Sequence, residues 1–186
     1  MNEEIKKTLE VLNKGGVILY PTDTIWGIGC DATNEEAVRR IYEIKRRTDS
    51  KFMLVLLDSS RKLDFYVEEV PDIALDLIEI TDKPLTIIYS EAKNVAPSLI
   101  APDGTLGIRI TEEAFSKELC FRFRKPIVST SANISGKVSP KSFLEINSEI
   151  IRSVDYVVDF NKDKKTTVPS SIIQVGKGGA IKIIRK

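Results

Sequence analysis

Gly15-Gly16-Val17-Ile18-Leu19-Tyr20-Pro21-Thr22-Asp23-Thr24-Ile25-Trp26-Gly27-Ile28-Gly29-Cys30-Asp31-Ala32 is the stretch on which the fold class turns. Val17 to Tyr20 is a short apolar run with strand character, Pro21 breaks it, and Thr22-Asp23-Thr24 forms a polar turn ahead of Gly27 and Gly29. A strand therefore runs into a loop. Upstream, Ile5, Leu9 and Leu12 stand at helical spacing within residues 3–14, and Gly15-Gly16 ends that helix because glycine accepts the left-handed conformation. Downstream, Asn34 caps a helix that carries Ala37, Val38, Ile41, Tyr42 and Lys45 on successive turns. Glu35 and Glu36 sit in its first turn, beside the positive end of the helix dipole.

The alternation continues to the C-terminus. Met53 to Leu57 is an unbroken apolar run expected of a buried strand, Ile73 to Ile80 has helical spacing, and Leu85 to Tyr89 again has strand character. Thr105 to Ile110 reads as strand and Glu112 to Arg124 as amphipathic helix. Pro126 to Ser129 reads as a strand running into the polar Ser129-Thr130-Ser131-Ala132-Asn133. Pro140 suits the first position of a helix through Ile151. Val154 to Val158, Ser171 to Val175 and Ile181 to Ile184 are late strands, with Gly176-Lys177-Gly178-Gly179 as the turn of a terminal hairpin. Asn161 to Thr167 is expected to be a mobile polar loop. The fold class is thus α/β: a twisted mixed sheet with strands of both orientations and flanking helices. At 186 residues the expectation is a single domain over 1–186.

Composition narrows the chemistry. The chain has no histidine, which removes Ser-His-Asp and Cys-His catalysis, HExxH zinc sites and any imidazole shuttle. Its two cysteines, Cys30 and Cys120, are too far apart in sequence for a CxxC pair and are expected to be reduced, semi-buried and inert. The charged N-terminus lacks the apolar region of a signal peptide and no stretch of about 18 apolar residues occurs, so a cytoplasmic protein with no membrane partner is expected. A formal net charge of +1 argues against a large indiscriminate nucleic-acid surface, although the total hides any local basic pocket.

Four polar clusters follow the ends of strands or helices: Pro21-Thr22-Asp23-Thr24, Lys45-Arg46-Arg47 with Lys51, Arg109, and Ser129 to Asn133. Fixed cations together with hydroxyl and backbone donors make a cradle for a phosphate or carboxylate ligand. Each cluster also has an ordinary structural reading. A basic helix end complements the helix dipole, and threonines in a turn or serines after a strand commonly cap local backbone. Lys45 and Arg47 lie about 200° apart on a continuing helix, so a shared role requires the chain to unwind between them. No GxxxxGK[ST] occurs, and Gly27-Ile28-Gly29 lacks the third glycine of a dinucleotide fingerprint. ATP, if bound, does not use a P-loop.

Taken in order, these segments resemble the YrdC-like family, the threonylcarbamoyl-AMP synthases, in its short single-domain form. The stretch from Gly15 to Ala32 is similar to the family's opening signature. Lys45-Arg46-Arg47 resembles its K-x-R, Pro84-Leu85-Thr86 its P-L-T strand, and Thr105-Leu106-Gly107-Ile108-Arg109 its T-x-x-x-R. Ser129 to Asn133 resembles the S-x-N element, and Pro169-Ser170-Ser171-Ile172 with Ile183-Ile184-Arg185 the closing elements. The chain departs from the family pattern at Thr48, Lys51-Phe52, Leu56 and Thr111-Glu112, positions that bear on the shape of the threonine pocket.

The resemblance implies a YrdC/RibB-like sheet around a deep basic concavity with no additional C-terminal domain. It implies a nucleotidyltransferase that makes threonylcarbamoyl-AMP and pyrophosphate from L-threonine, bicarbonate and ATP, for threonylcarbamoyladenosine at tRNA position 37. It implies coupling to a tRNA threonylcarbamoyl-transfer complex, with tRNA or double-stranded RNA as a further partner. Lys45, Arg47, Ser131 and Asn133 would be catalytic. Lys45, Lys51, Thr86, Ser129, Ser131, Asn133 and Arg185 would bind ATP; Thr22, Thr24, Arg109 and Ser170 would bind L-threonine. Mg²⁺ would be held through the ATP phosphates, with no protein metal ligand. The alternative is a paralogue of this fold that binds RNA or nucleotide without efficient synthase activity.

Overall fold

The computed structural model describes residues 1–47, 53–163 and 169–186. In chain order its helices are α1 (Asn2–Asn13), α2 (Glu35–Lys45), α3 (Leu63–Tyr66), α4 (Asp72–Ile80), α5 (Ala114–Phe123) and α6 (Ser148–Ser153). Its strands are β1 (Ile18–Tyr20), β2 (Gly27–Gly29), β3 (Leu54–Leu57), β4 (Leu85–Tyr89), β5 (Leu106–Ile110), β6 (Ile127–Ser131), β7 (Tyr156–Val157), β8 (Ser171–Val175) and β9 (Ile181–Arg185). Among the described residues the strands form one sheet in the order β7-β1-β2-β6-β3-β5-β4-β8-β9. Three pairs are parallel (β1 with β7, β3 with β5, β4 with β8), and the other neighbours are antiparallel.

Local chemistry fixes most of these elements. Helix α1 buries Ile5, Thr8 and Leu12 on one stripe and is left through Gly15 at φ +76°. The Asn34 Oδ1 accepts from the Ala37 amide at 3.1 Å and starts α2, as its cap position requires. Strand β2 has no apolar run to announce it. Its Gly29 packs so closely against neighbouring strands that a Cβ would meet the Val128 carbonyl oxygen at 2.5 Å and Tyr20 Cε1 at 2.7 Å. The terminal hairpin forms as expected, with Gly178 and Gly179 at φ 78° and 83° in the turn between β8 and β9.

The structure corrects three expectations. The helix from Pro140 to Ile151 does not form: a 3-10 turn spans Phe143–Glu145, and α6 starts separately because the Asn147 side chain caps the Glu149 amide at 2.8 Å. Ser129 to Ser131 lie inside β6 rather than in a loop. Both cysteines are fully buried, and burial pushes both thiols up, away from the reactive thiolate. Of the loop expected over Asn161 to Thr167, residues 164–168 lie outside the described residues.

Each sheet face has its own core. One face packs Val55, Ile87, Ile108 and Val128 with Val38 and Ile41 of α2. On the other, Ile18, Leu56 and Ile127 pack under Ile5 of α1 and Phe115 and Leu119 of α5. Strand register carries that second face beyond the helical cover. The partners Ile127, Leu56, Arg109, Thr86, Ile172 and Arg185 run as one row across the sheet. Paired residues on neighbouring strands point to the same side. The row starts in the α1/α5 core and ends among polar side chains, which places the site.

Candidate active site

At the polar end of this row lies a cavity of about 370 Å³ lined by Thr24, Arg109, Ser129, Ser131, Ser170 and Arg185, among others. A more apolar cavity of about 570 Å³, with Thr86 in its wall, adjoins it and shares Leu54 and Ile172.

Hydroxyl accounting shows what the walls offer. Thr22 Oγ1 donates to the Ile25 carbonyl at 2.7 Å, which uses its only proton, and accepts from the Thr24 amide at 3.1 Å. The 3.1 Å contact between the two hydroxyls is then a donation from Thr24, so Thr24 turns only acceptor lone pairs toward the cavity. Ser170 links the other side. Its Oγ lies 2.9 Å from Thr86 Oγ1, and its carbonyl accepts from Arg185 Nε at 3.0 Å and Nη2 at 2.8 Å. Burial, and then the charge of Arg109, holds the Arg185 guanidinium below its usual range, so two guanidinium groups compete for one small space.

Arg109 is 3% exposed, and its Nη2 stands 2.9 Å from Asp23 Oδ1. The contact is an ion pair out of line for a hydrogen bond, and both Asp23 Oδ1 and Arg109 Nε are buried without a hydrogen-bond partner among the described residues. Burial chiefly raises the Asp23 pKa; Arg109 opposes and Glu113 adds to the rise.

Lys45 stands behind Ser131 rather than in the cavity wall. It is 2% exposed, and its Nζ donates to the carbonyls of Ser131 at 2.5 Å and Asn133 at 2.7 Å. Burial, reinforced by the charge of Arg47, pulls its ammonium down to about 7. The unwinding that Lys45 and Arg47 need is present: α2 ends at Lys45, and Arg46 takes a left-handed φ of 51°. Ser131 Oγ donates to Asn133 Oδ1 at 2.5 Å, and Asn133 Nδ2 donates to the Lys137 carbonyl at 2.6 Å. In this state Asn133 ties its own loop together. Lys51 lies outside the described residues.

The structure thus gathers Thr24, Arg109, Ser129, Ser131, Ser170 and Arg185 in one cavity, with Thr22, Thr86, Lys45 and Asn133 joined to their neighbours. Sequence reasoning missed Asp23 as more than a turn residue, and Lys141, which lines the cavity from the segment expected to be helical. The signal for Asp23 was its place between two threonines in a turn that ends a strand.

A sheet with one basic, hydroxyl-lined cavity beyond its helical cover defines an α/β protein built to hold anionic small molecules. The family model for Sua5, YciO and YrdC proteins, described as telomere recombination, matches residues 10–186, and the chain belongs to that family. A relative from Methanocaldococcus jannaschii is 40% identical over 178 residues, covering 93% of this chain and 83% of that protein. The threonylcarbamoyl-AMP synthase of Pseudoalteromonas translucida is 35% identical over 158 residues, covering 83% of this chain and 84% of its own. Among solved structures, P. abyssi Sua5 complexed with L-threonine superposes with a TM-score of 0.83 at 26% identity. That match covers 95% of this chain and 52% of the Sua5 chain, so the chain spans about half of that protein. E. coli YciO, at 24% identity and TM-score 0.87, shares the fold over 100% of this chain and 90% of its own.

Proposed function

We propose that this chain is a threonylcarbamoyl-AMP synthase. It condenses L-threonine with bicarbonate and transfers the carbamate to the α-phosphorus of ATP, releasing pyrophosphate. The observation that carries this reading is that Arg109 and Thr24 stand in the wall of one cavity, with the Thr24 hydroxyl offering it acceptor lone pairs. A cation for a carboxylate stands next to acceptors for an ammonium, which is the pattern of an α-amino acid. The 35% identity to a protein named for this activity supports the same assignment.

In this reading Arg109 grips the threonine carboxylate, with Thr22, Thr24 and Ser170 around the rest of the amino acid. Thr86, Ser129, Ser131, Asn133 and Arg185 face the nucleotide. Arg47 and Lys51 meet the phosphates, and Lys45 adds its charge from behind Ser131, so that together they stabilise the charge that builds on departing pyrophosphate. The polar part of the cavity lining is mainly hydroxyl and cation, with no converging set of carboxylates among the described residues, so Mg²⁺ fits as an ion carried on the ATP phosphates. When bound, it would share the phosphate charge with these cations. Alignment of amine, bicarbonate and ATP would supply on the order of 7–11 kcal/mol, with no protein nucleophile. The adenylate then passes to a complex that transfers threonylcarbamoyl to tRNA. No helix among the described residues is long and apolar enough to cross a membrane.

Lys45 gives this reading a pH signature. In the free protein its ammonium loses a proton as pH rises through about 7, whereas bound phosphates favour the charged form. ATP affinity is therefore expected to fall by up to about tenfold per pH unit above 7, with proton uptake on binding. Titration calorimetry in buffers of different ionisation heat measures both, and pH-independent affinity would count against a phosphate role for Lys45. Stability runs the other way. The unfolded chain holds the lysine proton up to about pH 10.4, so it binds more protons than the folded chain above pH 7, and the Lys45 contribution to stability rises with pH.

The direct test of the function is mass-spectrometric detection of threonylcarbamoyl-AMP from purified protein given ATP, Mg²⁺, bicarbonate and L-threonine.

A further inference from the structure

We infer that Asp23 is the base of this site: it accepts the proton that the threonine ammonium must shed for its nitrogen to attack bicarbonate. This rests on the synthase reading of the same cavity and adds a residue that the reading leaves unused.

The reaction needs such a group. Ammonium and bicarbonate combine to carbamate and water. The N–C bond forms, the C–OH bond of bicarbonate breaks, one ammonium proton leaves with that hydroxyl as water, and a second has to go elsewhere. The chain has no histidine to take it.

The geometry puts Asp23 where that proton is lost. Asp23 Oδ1 and Arg109 Nε are a buried acceptor and a buried donor, 2.9 Å contact between their groups notwithstanding, that lack hydrogen-bond partners among the described residues. The Arg109 Nε is an unsatisfied donor, which costs about 1–3 kcal/mol, while Asp23 Oδ1 has the Arg109 charge beside it but no donor in line. An α-amino acid satisfies both together, because its ammonium is one carbon removed from its carboxylate. With the carboxylate on the guanidinium, the ammonium falls beside the Asp23 carboxylate, and the lone pairs of Thr24 Oγ1 steady it. Asp23 itself lines not that cavity but a neighbouring cleft, of about 290 Å³, at the ends of β4 and β5, and meets the substrate cavity through Arg109, 2.9 Å away. The carboxyl therefore stands between the substrate cavity and a separate outlet through which its proton can leave.

The charged and titratable neighbours are Arg109 on β5, Glu113 at the cap of α5, Tyr20 on β1 and Cys120 on α5. Around the second cleft stand Asp82, Lys83 and Glu112. Burial and Glu113 raise the proton affinity of Asp23 against the pull of Arg109, which makes it a stronger base than an exposed aspartate.

The test is the pH dependence of threonine-dependent pyrophosphate release by the full chain. Asp23→Asn is expected to lower kcat by at least about a hundredfold near neutral pH. That deficit should shrink about tenfold per pH unit as threonine's own amine deprotonates. A deficit of the same size at every pH, as misplacement of Arg109 alone would give, or no deficit, overturns the proposal. Glu113→Gln is a second probe that does not depend on the folding of Asp23→Asn. It keeps a cap acceptor for α5 and removes a charge that raises Asp23, so the acid limb of kcat/KM should move to lower pH; an unmoved limb overturns the proposal. Loss of threonine-dependent turnover in the unaltered protein would instead strike the synthase reading itself.

Discussion

Lys45→Ala is expected to reduce threonine-dependent pyrophosphate release by about a hundredfold to a thousandfold, the scale on which a single preorganised charge-stabilising group contributes. The side chain is almost completely buried and spans from the end of α2 to the carbonyls of Ser131 and Asn133. It therefore delivers its charge to the end of β6, where Ser129 and Ser131 are proposed to face the nucleotide, at a fixed position that needs no reorganisation. Its loss also takes a donor from two half-buried carbonyls, of which Ser131 keeps the Asn133 amide at 2.9 Å and Asn133 is left short at up to about 1–3 kcal/mol, so a lower melting temperature accompanies the lost activity. Threonine affinity separates the two effects, because Arg109 lies on β5 and Thr24 in the turn between β1 and β2, and both should hold threonine with little change. Arg46→Ala is the control. Arg46 is exposed and pairs with Glu149 at 2.5 Å on the surface, an interaction worth about 0–1 kcal/mol, and turnover should stay within about twofold. Full activity in Lys45→Ala would remove Lys45 from the mechanism.

Arg109→Leu should produce the largest loss of threonine binding together with a large loss of stability. The guanidinium is the partner of a carboxylate that is itself largely buried. Breaking such a pair from one side strands the remaining charge and costs about 3–5 kcal/mol. Removing the second charge as well should restore most of that. Arg109→Leu combined with Asp23→Asn is expected to recover the greater part of the urea-unfolding free energy while threonine binding, followed by calorimetry, stays abolished. A double variant that bound threonine normally would show that the carboxylate is held elsewhere in the cavity.

What the sequence revealed follows from which interactions are local. The apolar residues of β3, β4, β5 and β8 announce these strands because one face of each packs into a core, and Asn34 announces α2 because its cap is made within three residues of chain. The order of the strands is not local. Placing β6 between β2 and β3 depends on pairings such as Gly27 with Ser131 and Leu54 with Ser129, which no run of residues displays. Gly29 illustrates the difficulty, since its reason for being glycine is the carbonyl of Val128 at the other side of the chain. The same limit applies to the site. Lys45, Arg109 and Arg185 could be singled out as cations, but the row that aligns Arg109, Thr86, Ile172 and Arg185 exists only in the strand register. Asp23 reads as a turn residue until Arg109 is set opposite it. Pro140 misled because a favourable first helical residue does not by itself start a helix; the Asn147 cap decided where α6 begins.

The most direct measurement is pyrophosphate release by the purified protein with ATP, Mg²⁺ and bicarbonate, with and without L-threonine, and with L-serine in its place. Release that requires threonine, with threonylcarbamoyl-AMP as the co-product, is the expected result. Release that ignores threonine, or none from protein with an intact thermal transition, would contradict the assignment of this cavity to a threonylcarbamoyl-AMP synthase.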